Sequence, residues 1–210
     1  MNDGSRDKTA EIVREYAKKS QNVRLIENPG NHGKGYSVRH GMMEALGDIR
    51  LLSDADFSSP IEEANKLFAA IAAGADVAIG SRWKQRETQT VRQPFYRQLG
   101  GRIFNLFLRI LLGLPEKDTQ CGFKAFTRRA AQVLFPPAKR ERWGWDAEIL
   151  FLAHRVGFRV DEVPVAWAND DRSRINPYID GFRIVMDAVA VRWYSLRGDY
   201  KELVKKNWNY

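Results

Sequence analysis

The sequence predicts a three-layer α/β fold built on a mostly parallel sheet. Three observations point to α/β. Short aliphatic runs alternate with amphipathic helical stretches through the first half of the chain. The run Leu51-Leu52 stops at Ser53-Asp54-Ala55-Asp56, placing polar groups at the carboxyl end of a strand, where open α/β sheets bind ligands. A glycine-rich loop, Asn28 to Gly35, feeds directly into a helical pattern.

Taken in order, Asn2-Asp3-Gly4-Ser5 reads as a turn. Ser5 or Asp7 would cap a helix over 8–19 whose buried stripe is Ile12, Val13, Tyr16 and Ala17. Residues 23–27 form a short strand, and the glycine loop opens a helix through about Leu46. A strand ending at Asp54, a helix over 60–73 and a strand over 76–80 follow, the last running into Ser81 and Arg82. The alternation then lapses: residues 84–93 are polar and read as mobile. Residues 95–112 form a very apolar helix whose narrow polar stripe is Arg102, Asn105 and Arg109, the pattern of a core helix or of one lying in a membrane interface. A loop and short strand over 118–126 precede helices over 128–134 and from Trp143 to about Val156. A strand over 159–167 and an amphipathic helix over 179–196 complete the chain, with a basic, aromatic tail to Tyr210. Residues 1–210 read as one catalytic domain, with 179–210 as an amphipathic, basic segment suited to a membrane interface.

Composition narrows the function. With 44% hydrophobic and 29% charged residues the chain is an ordered globular protein. The single cysteine, Cys121, excludes an internal disulfide, and three histidines without zinc spacing argue against a structural metal. A net charge of +8, concentrated in Arg82, Lys84, Arg86, Arg92, Arg97, Arg102 and Arg109, calls for an anionic partner. No apolar run reaches the ~20 residues of a membrane span.

Asp54 and Asp56 are one residue apart, so a regular strand would project both to one face. Paired carboxylates there suit Mg²⁺ or Mn²⁺, which also recruit phosphate oxygens. Capping of the helix opened by Pro60, Glu62 and Glu63 is the alternative use of the same residues.

Together these stretches resemble glycosyltransferase family 2, and the resemblance implies the GT-A (Rossmann-like) form of the α/β fold. The resemblance rests on Asn2-Asp-Gly-Ser5, Asn31-His-Gly-Lys-Gly35 with Arg39 and Gly41, Ser53-Asp-Ala-Asp56 and Gly80-Ser-Arg82. The second half resembles the branch containing dolichyl-phosphate β-glucosyltransferases and bacterial polyprenyl-phosphate relatives. It does so through Asp118-Thr-Gln-Cys-Gly-Phe-Lys124, Glu141-Arg-Trp143, Trp145-Asp-Ala-Glu148 and Glu162-Val-Pro-Val-Ala-Trp167. In that family a strand and an acidic turn precede this point; here Met1 stands where the strand should finish and Asn2 replaces the first acidic residue. The sequence therefore reads as lacking the first strand, which would leave its two neighbours with open edges.

The resemblance implies an inverting transfer of a hexose from a nucleotide-sugar donor, UDP-glucose or alternatively GDP-mannose, to a polyprenyl or dolichyl phosphate. Transfer to a sugar hydroxyl in polysaccharide synthesis is a further alternative. Nucleic acid is not an expected partner; peripheral attachment to the cytoplasmic face of a membrane is. Asp54 and Asp56 would hold Mg²⁺ or Mn²⁺, Asp3 would bind the ribose or base, and Lys34 would reach the base or phosphates. Arg82 would bind phosphate, with Arg97 and Arg102 as candidates for the acceptor phosphate. Gln120 and Lys124 would shape the donor-sugar or acceptor pocket, and Asp146 occupies the position of the family's base. Cys121 reads as a packed residue, because inversion needs no covalent intermediate.

Overall fold

The computed structural model describes the backbone of residues 1–83, 89–91, 95–168 and 177–205, and the side chains of 1–83, 100–168 and 181–203. In chain order the elements are α1 (Thr9–Lys19), α2 (Lys34–Glu44), β1 (Ile49–Ser53), a 3-10 turn (Ile61–Glu63), α3 (Ala64–Ala72), β2 (Val77–Ser81), β3 (Gln89–Val91) and α4 (Phe95–Leu112). Then come β4 (Phe123–Thr127), α5 (Arg128–Leu134), α6 (Trp145–Arg155), β5 (Val160–Pro164), β6 (Trp167–Ala168), α7 (Pro177–Arg197) and α8 (Lys201–Lys205).

The main sheet has the order β1-β4-β2-β5. β1, β2 and β5 share a direction, in line with the expected parallel bias. β4 is reversed and lies between β1 and β2, so two of the three ladders are antiparallel and the sheet is mixed. Period-two alternation sorts the strands onto two layers of helix. Ala78, Phe123 and Ala125 pack with Ala64 and Leu67 of α3 on one face. Val77, Ile79 and Phe126 pack on the other face against α5 and α6, in a core that continues into α4 and α7. Lys124, flanked by Phe123 and Ala125, projects to the same side as Phe126 and is fully buried there.

Three expectations are corrected. The segment 23–27 forms no strand: its one ladder contact is a parallel bridge between Glu27 and Asn2. An extended segment becomes a strand only where a neighbouring backbone supplies a ladder, and Asn2 supplies one rung, with Asn2 N donating to Ile26 O and Asn28 N to Asn2 O. The α1 stripe is not buried. Ile12 is 64% and Tyr16 62% exposed, and no α1 residue is buried, because no described element covers that face. Lys8 is the N-cap of α1 and makes no side-chain cap; Asp7, just before it, accepts at Oδ1 from the Thr9 N–H and hydroxyl. Lastly, the stretch expected to be polar and mobile contains β3, which pairs in parallel with β6; residues 84–88 and 92–94 lie outside those described.

α4 and α5 have the bounds that the sequence predicts. Thr127 caps α5 by accepting from Ala130 N. The polar stripe of α4 faces inward. Asn105 donates to Lys117 O and accepts from the Thr119 hydroxyl, and Arg109 donates to the carbonyls of Leu114 and Pro115. Leu108 and Leu112 enter the core, while Ile103, Leu106, Phe107 and Ile110 face out. Along α7, Phe182, Met186, Val189, Trp193 and Leu196 also face out. No helix among the described residues is long and apolar enough to cross a membrane.

Candidate active site

The carboxyl end of β1 delivers Asp54 into a cleft bounded by the glycine loop, the turn before β4 and the start of α6. Lys34, the first residue of α2, bridges both Asp54 oxygens, with Nζ at 2.7 Å from Oδ1 and 2.9 Å from Oδ2. Burial lowers the Lys34 pKa, but Asp146, Asp54 and Asp56 more than offset this, so the ammonium titrates above its usual range. Three of the sequence-nominated acids therefore converge on one lysine.

Asp56 sits on the exposed turn after β1, where its Oδ1 accepts from Ser58 N. Phe57 beside it has φ 53° and is 69% exposed, a left-handed conformation that aromatic side chains rarely adopt. Sequence reading missed Phe57, and nothing in its neighbours' residue types signals that strain.

Asp3 is bound into the glycine loop. Its Oδ2 accepts from Gly33 N at 2.7 Å, and its Oδ1 from His32 N at 3.0 Å and Asn28 Nδ2 at 2.8 Å. Burial raises its carboxyl pKa, and these donors, with Ser37, pull it below the usual range. Asp3 thus organises the glycine loop. The loop packs on the segment 140–142, with Gly35 N donating to Arg142 O and Tyr36 N to Glu141 O. A Cβ on Gly35 would meet Arg140 O at 2.4 Å, so only glycine permits the approach. Glu148, fully buried in α6, supports that segment in turn by accepting from Lys139 N, Arg140 N and the Tyr200 hydroxyl.

Arg82 follows β2 as expected, but its Nε and Nη2 donate at 2.8 Å to the two oxygens of Asp118. The guanidinium lies between the rings of Trp83 and Trp167, 5.7 and 5.5 Å from their centroids. Burial raises the Asp118 carboxyl pKa, and Arg82 more than reverses this, leaving it below the usual range. Arg82 Nε and Nη2 thus serve Asp118, in addition to any phosphate that the cleft receives. Glu162 holds the same turn, accepting from the backbone N–H of Lys117 and Asp118 and from the Ser81 hydroxyl. Arg102 stacks on Trp83 at 5.1 Å. Arg97 lies in α4, but its side chain, like Lys84 as a whole, is outside the described residues.

Lys124 is the clearest correction. Its side chain has no solvent exposure, so it cannot meet a phosphate; its Nζ donates to Thr119 O, Cys121 O and Asp146 Oδ1. Asp146, in the first turn of α6, is itself buried. Burial pushes its carboxyl above the usual range, while Lys124 and Lys34 pull it back. A lysine between Phe123 and Ala125 in an apolar strand was the sequence signal for an internal cation. Gln120 is half-buried beside this turn, and Cys121 is buried with its thiol pKa raised to about 11 by burial, as befits a packed residue. Ser53, Asp54, Ser59, Cys121, Gly122 and Trp167 line a small pocket at the mouth of the cleft.

The described residues hold no group of three or more His, Cys, Asp or Glu side chains arranged for a metal. Two carboxylates completed by donor-phosphate oxygens and water nonetheless fit the needs of Mg²⁺ or Mn²⁺. The donor set is all oxygen, and Gly122 leaves room for the Asp54 carboxyl group.

A mixed α/β sheet with Asp54 and Lys34 at the carboxyl end of β1 has its charged groups where α/β folds bind ligands. The chain belongs to glycosyltransferase family 2: the family model described as "Glycosyl transferase family 2" matches residues 1–135. It is 34% identical to a dolichyl-phosphate β-glucosyltransferase of Dictyostelium discoideum, over 96% of this chain and 64% of that protein. It is 33% identical to that of Saccharomyces cerevisiae, over 96% of this chain and 66% of that one. The chain thus spans just under two thirds of the length of these curated relatives. Among solved structures, glucosyl-3-phosphoglycerate synthase of Mycobacterium tuberculosis with Mn²⁺, UDP and product matches with a TM-score of 0.62 at 18% identity, covering 91% of this chain and 67% of that one. That likeness shows the GT-A type of fold.

Proposed function

We propose that this chain carries the catalytic machinery of an inverting glucosyltransferase that moves glucose from UDP-glucose to a dolichyl or other polyprenyl phosphate. The observation that carries the reading is Asp54 at the end of β1, with Lys34 Nζ at 2.7 and 2.9 Å from its two oxygens. The relatives named as dolichyl-phosphate β-glucosyltransferases support the choice of sugar and acceptor. Mn²⁺ with UDP in the mycobacterial structure supports a divalent cation and a uridine nucleotide.

In this reading the diphosphate lies over β1, within reach of Lys34. Asp54 and Asp56 would hold Mg²⁺ or Mn²⁺, which when bound would supply positive charge beside the diphosphate. An acceptor phosphate oxygen bonds to the anomeric carbon from the face opposite UDP, and the bond to UDP breaks with its electron pair leaving on the diphosphate. A phosphate monoester, with its second pKa near ~6, needs no proton removed at neutral pH. Asp146 therefore orients the acceptor side without taking a proton. Lys34 neutralises developing charge on the leaving group, the kind of preorganised electrostatic support that lowers such barriers.

The outward apolar residues of α4 and α7 support docking on a bilayer surface, because the acceptor's lipid chain requires one. Arg183, Arg192 and Arg197 are exposed on either side of the α7 stripe and would favour anionic headgroups.

The test is transfer by the purified protein with UDP-glucose, dolichyl phosphate and Mg²⁺ or Mn²⁺ in detergent, alongside GDP-mannose. A lipid-linked glucose product and its loss in Asp54→Asn are expected. Mannose transfer in preference to glucose, or glucose released only to water, would overturn the reading.

A further inference from the structure

Lys124 and Asp146 form an internal ion pair that the transfer chemistry above does not use directly. The lysine has no solvent exposure, and the carboxylate is nearly as deep. The ammonium has three protons and three acceptors: Asp146 Oδ1, Cys121 O at 2.6 Å and Thr119 O at 3.2 Å. One side chain, rising from the reversed central strand, therefore joins the first turn of α6 to the turn that precedes β4. That turn begins at Asp118, the partner of Arg82, and contains Gln120. The charges facing the pair are Lys34 and Asp54 from the donor side and Arg82 from the end of β2.

We propose that Lys124 is a positioning residue: it fixes Asp146 and the 118–121 turn in one geometry and thereby sets the acceptor side of the cleft. This inference rests on the glucosyltransferase reading. The donor side has contacts of its own, from Asp3 to the glycine loop and from Lys34 to Asp54, and Lys124 takes part in neither. Removal of the ammonium leaves Asp146 buried without a counter-charge and two carbonyls without a donor, so both relax together.

The test uses the full chain with Lys124→Met, which keeps the stem and removes the charge, and Lys124→Ala, which opens a cavity. In Lys124→Met, kcat is expected to fall by about 100-fold or more, on the scale of losing one aligned catalytic side chain. KM for UDP-glucose is expected to stay within about threefold. Adding ethylamine to Lys124→Ala should restore turnover by about tenfold or more, whereas ethanol of similar shape should not, because only a cation replaces the ion pair. A Lys124→Met protein with near-normal kcat overturns the proposal, as does a parallel loss of donor affinity, or equal rescue by amine and alcohol. Failure of both variants to fold makes Lys124 a structural residue and overturns it too. Should the wild-type protein transfer no glucose, the functional reading fails first. Lys124 is then judged by the crystal structure of Lys124→Met: a displaced Asp146 carboxyl group and 118–121 turn support the positioning role, and an unmoved pair overturns it.

Discussion

Gly122 and Asp54 share one corner of the cleft: a Cβ on Gly122 would lie 1.8 Å from Asp54 Oδ2 and 2.4 Å from its Cγ. The carboxyl group cannot stay in place beside any larger residue. Gly122→Ala is therefore expected to keep the fold while turning Asp54 away from Lys34. Metal-dependent UDP binding, followed by calorimetry, should weaken by about tenfold or more, the range seen when a metal site loses its supporting geometry. Unchanged affinity with a native melt would remove Asp54 from the site.

Asp118 is fully buried and its charge is matched by Arg82. Asp118→Ala removes the carboxylate that Arg82 Nε and Nη2 meet, and breaking such buried pairs costs about 3–5 kcal/mol. Arg82 keeps 21% of its side-chain exposure, so solvent screening favours the lower end. At about 2–4 °C per kcal/mol for a chain of this size, Tm should drop by at least roughly 6 °C, read by thermal denaturation.

Acid should destabilise the protein through the same carboxylate. Asp118 and Asp3 both have folded pKa values below their ordinary one. Their contribution is present above the unfolded value, near ~3.9, and is lost as pH falls through the lower folded values. Urea midpoints should thus be insensitive to these groups above pH ~5 and decline below ~4. Asp118→Asn should flatten that acid limb; a wild-type limb as steep in the variant would contradict the assignment.

The outward stripes of α4 and α7 predict membrane behaviour. Ile110 and Trp193 are 75% and 52% exposed, so glutamate at both positions should leave the melt within about 1 kcal/mol of wild type. Flotation with anionic liposomes at low salt should be lost in that double variant and reduced by salt in the wild type. A wild-type protein that never floats would remove the membrane from the proposal.

Much of this was legible in the sequence because local signals agree with the fold. The bounds of α4 and α5 and the strand end before Asp54 each follow from residue pattern alone. What the pattern hides is the partner. Arg82 and Lys124 read as cations awaiting phosphate, yet Asp118 lies 36 residues from one and Asp146 22 residues from the other. Sequence reports that a charge exists, and only the folded chain reports whether another charge has already claimed it. Position of β4 between β1 and β2 was hidden for the same reason: ladder order is a long-range property. The exposed α1 stripe shows that amphipathic spacing names a face without naming what covers it.

Tyr200 gives the molecule an unexpected wiring. Its hydroxyl meets Glu148, Glu148 grips the amides of Lys139 and Arg140, and the carbonyls just beyond steady Gly35 and Tyr36. The last stretch of chain is therefore no detachable appendage. Trimming it as surplus would slacken a nucleotide cradle laid down near the opposite end of the polypeptide, and the damage would surface as poor donor affinity in a protein whose trimmed ends had looked harmless.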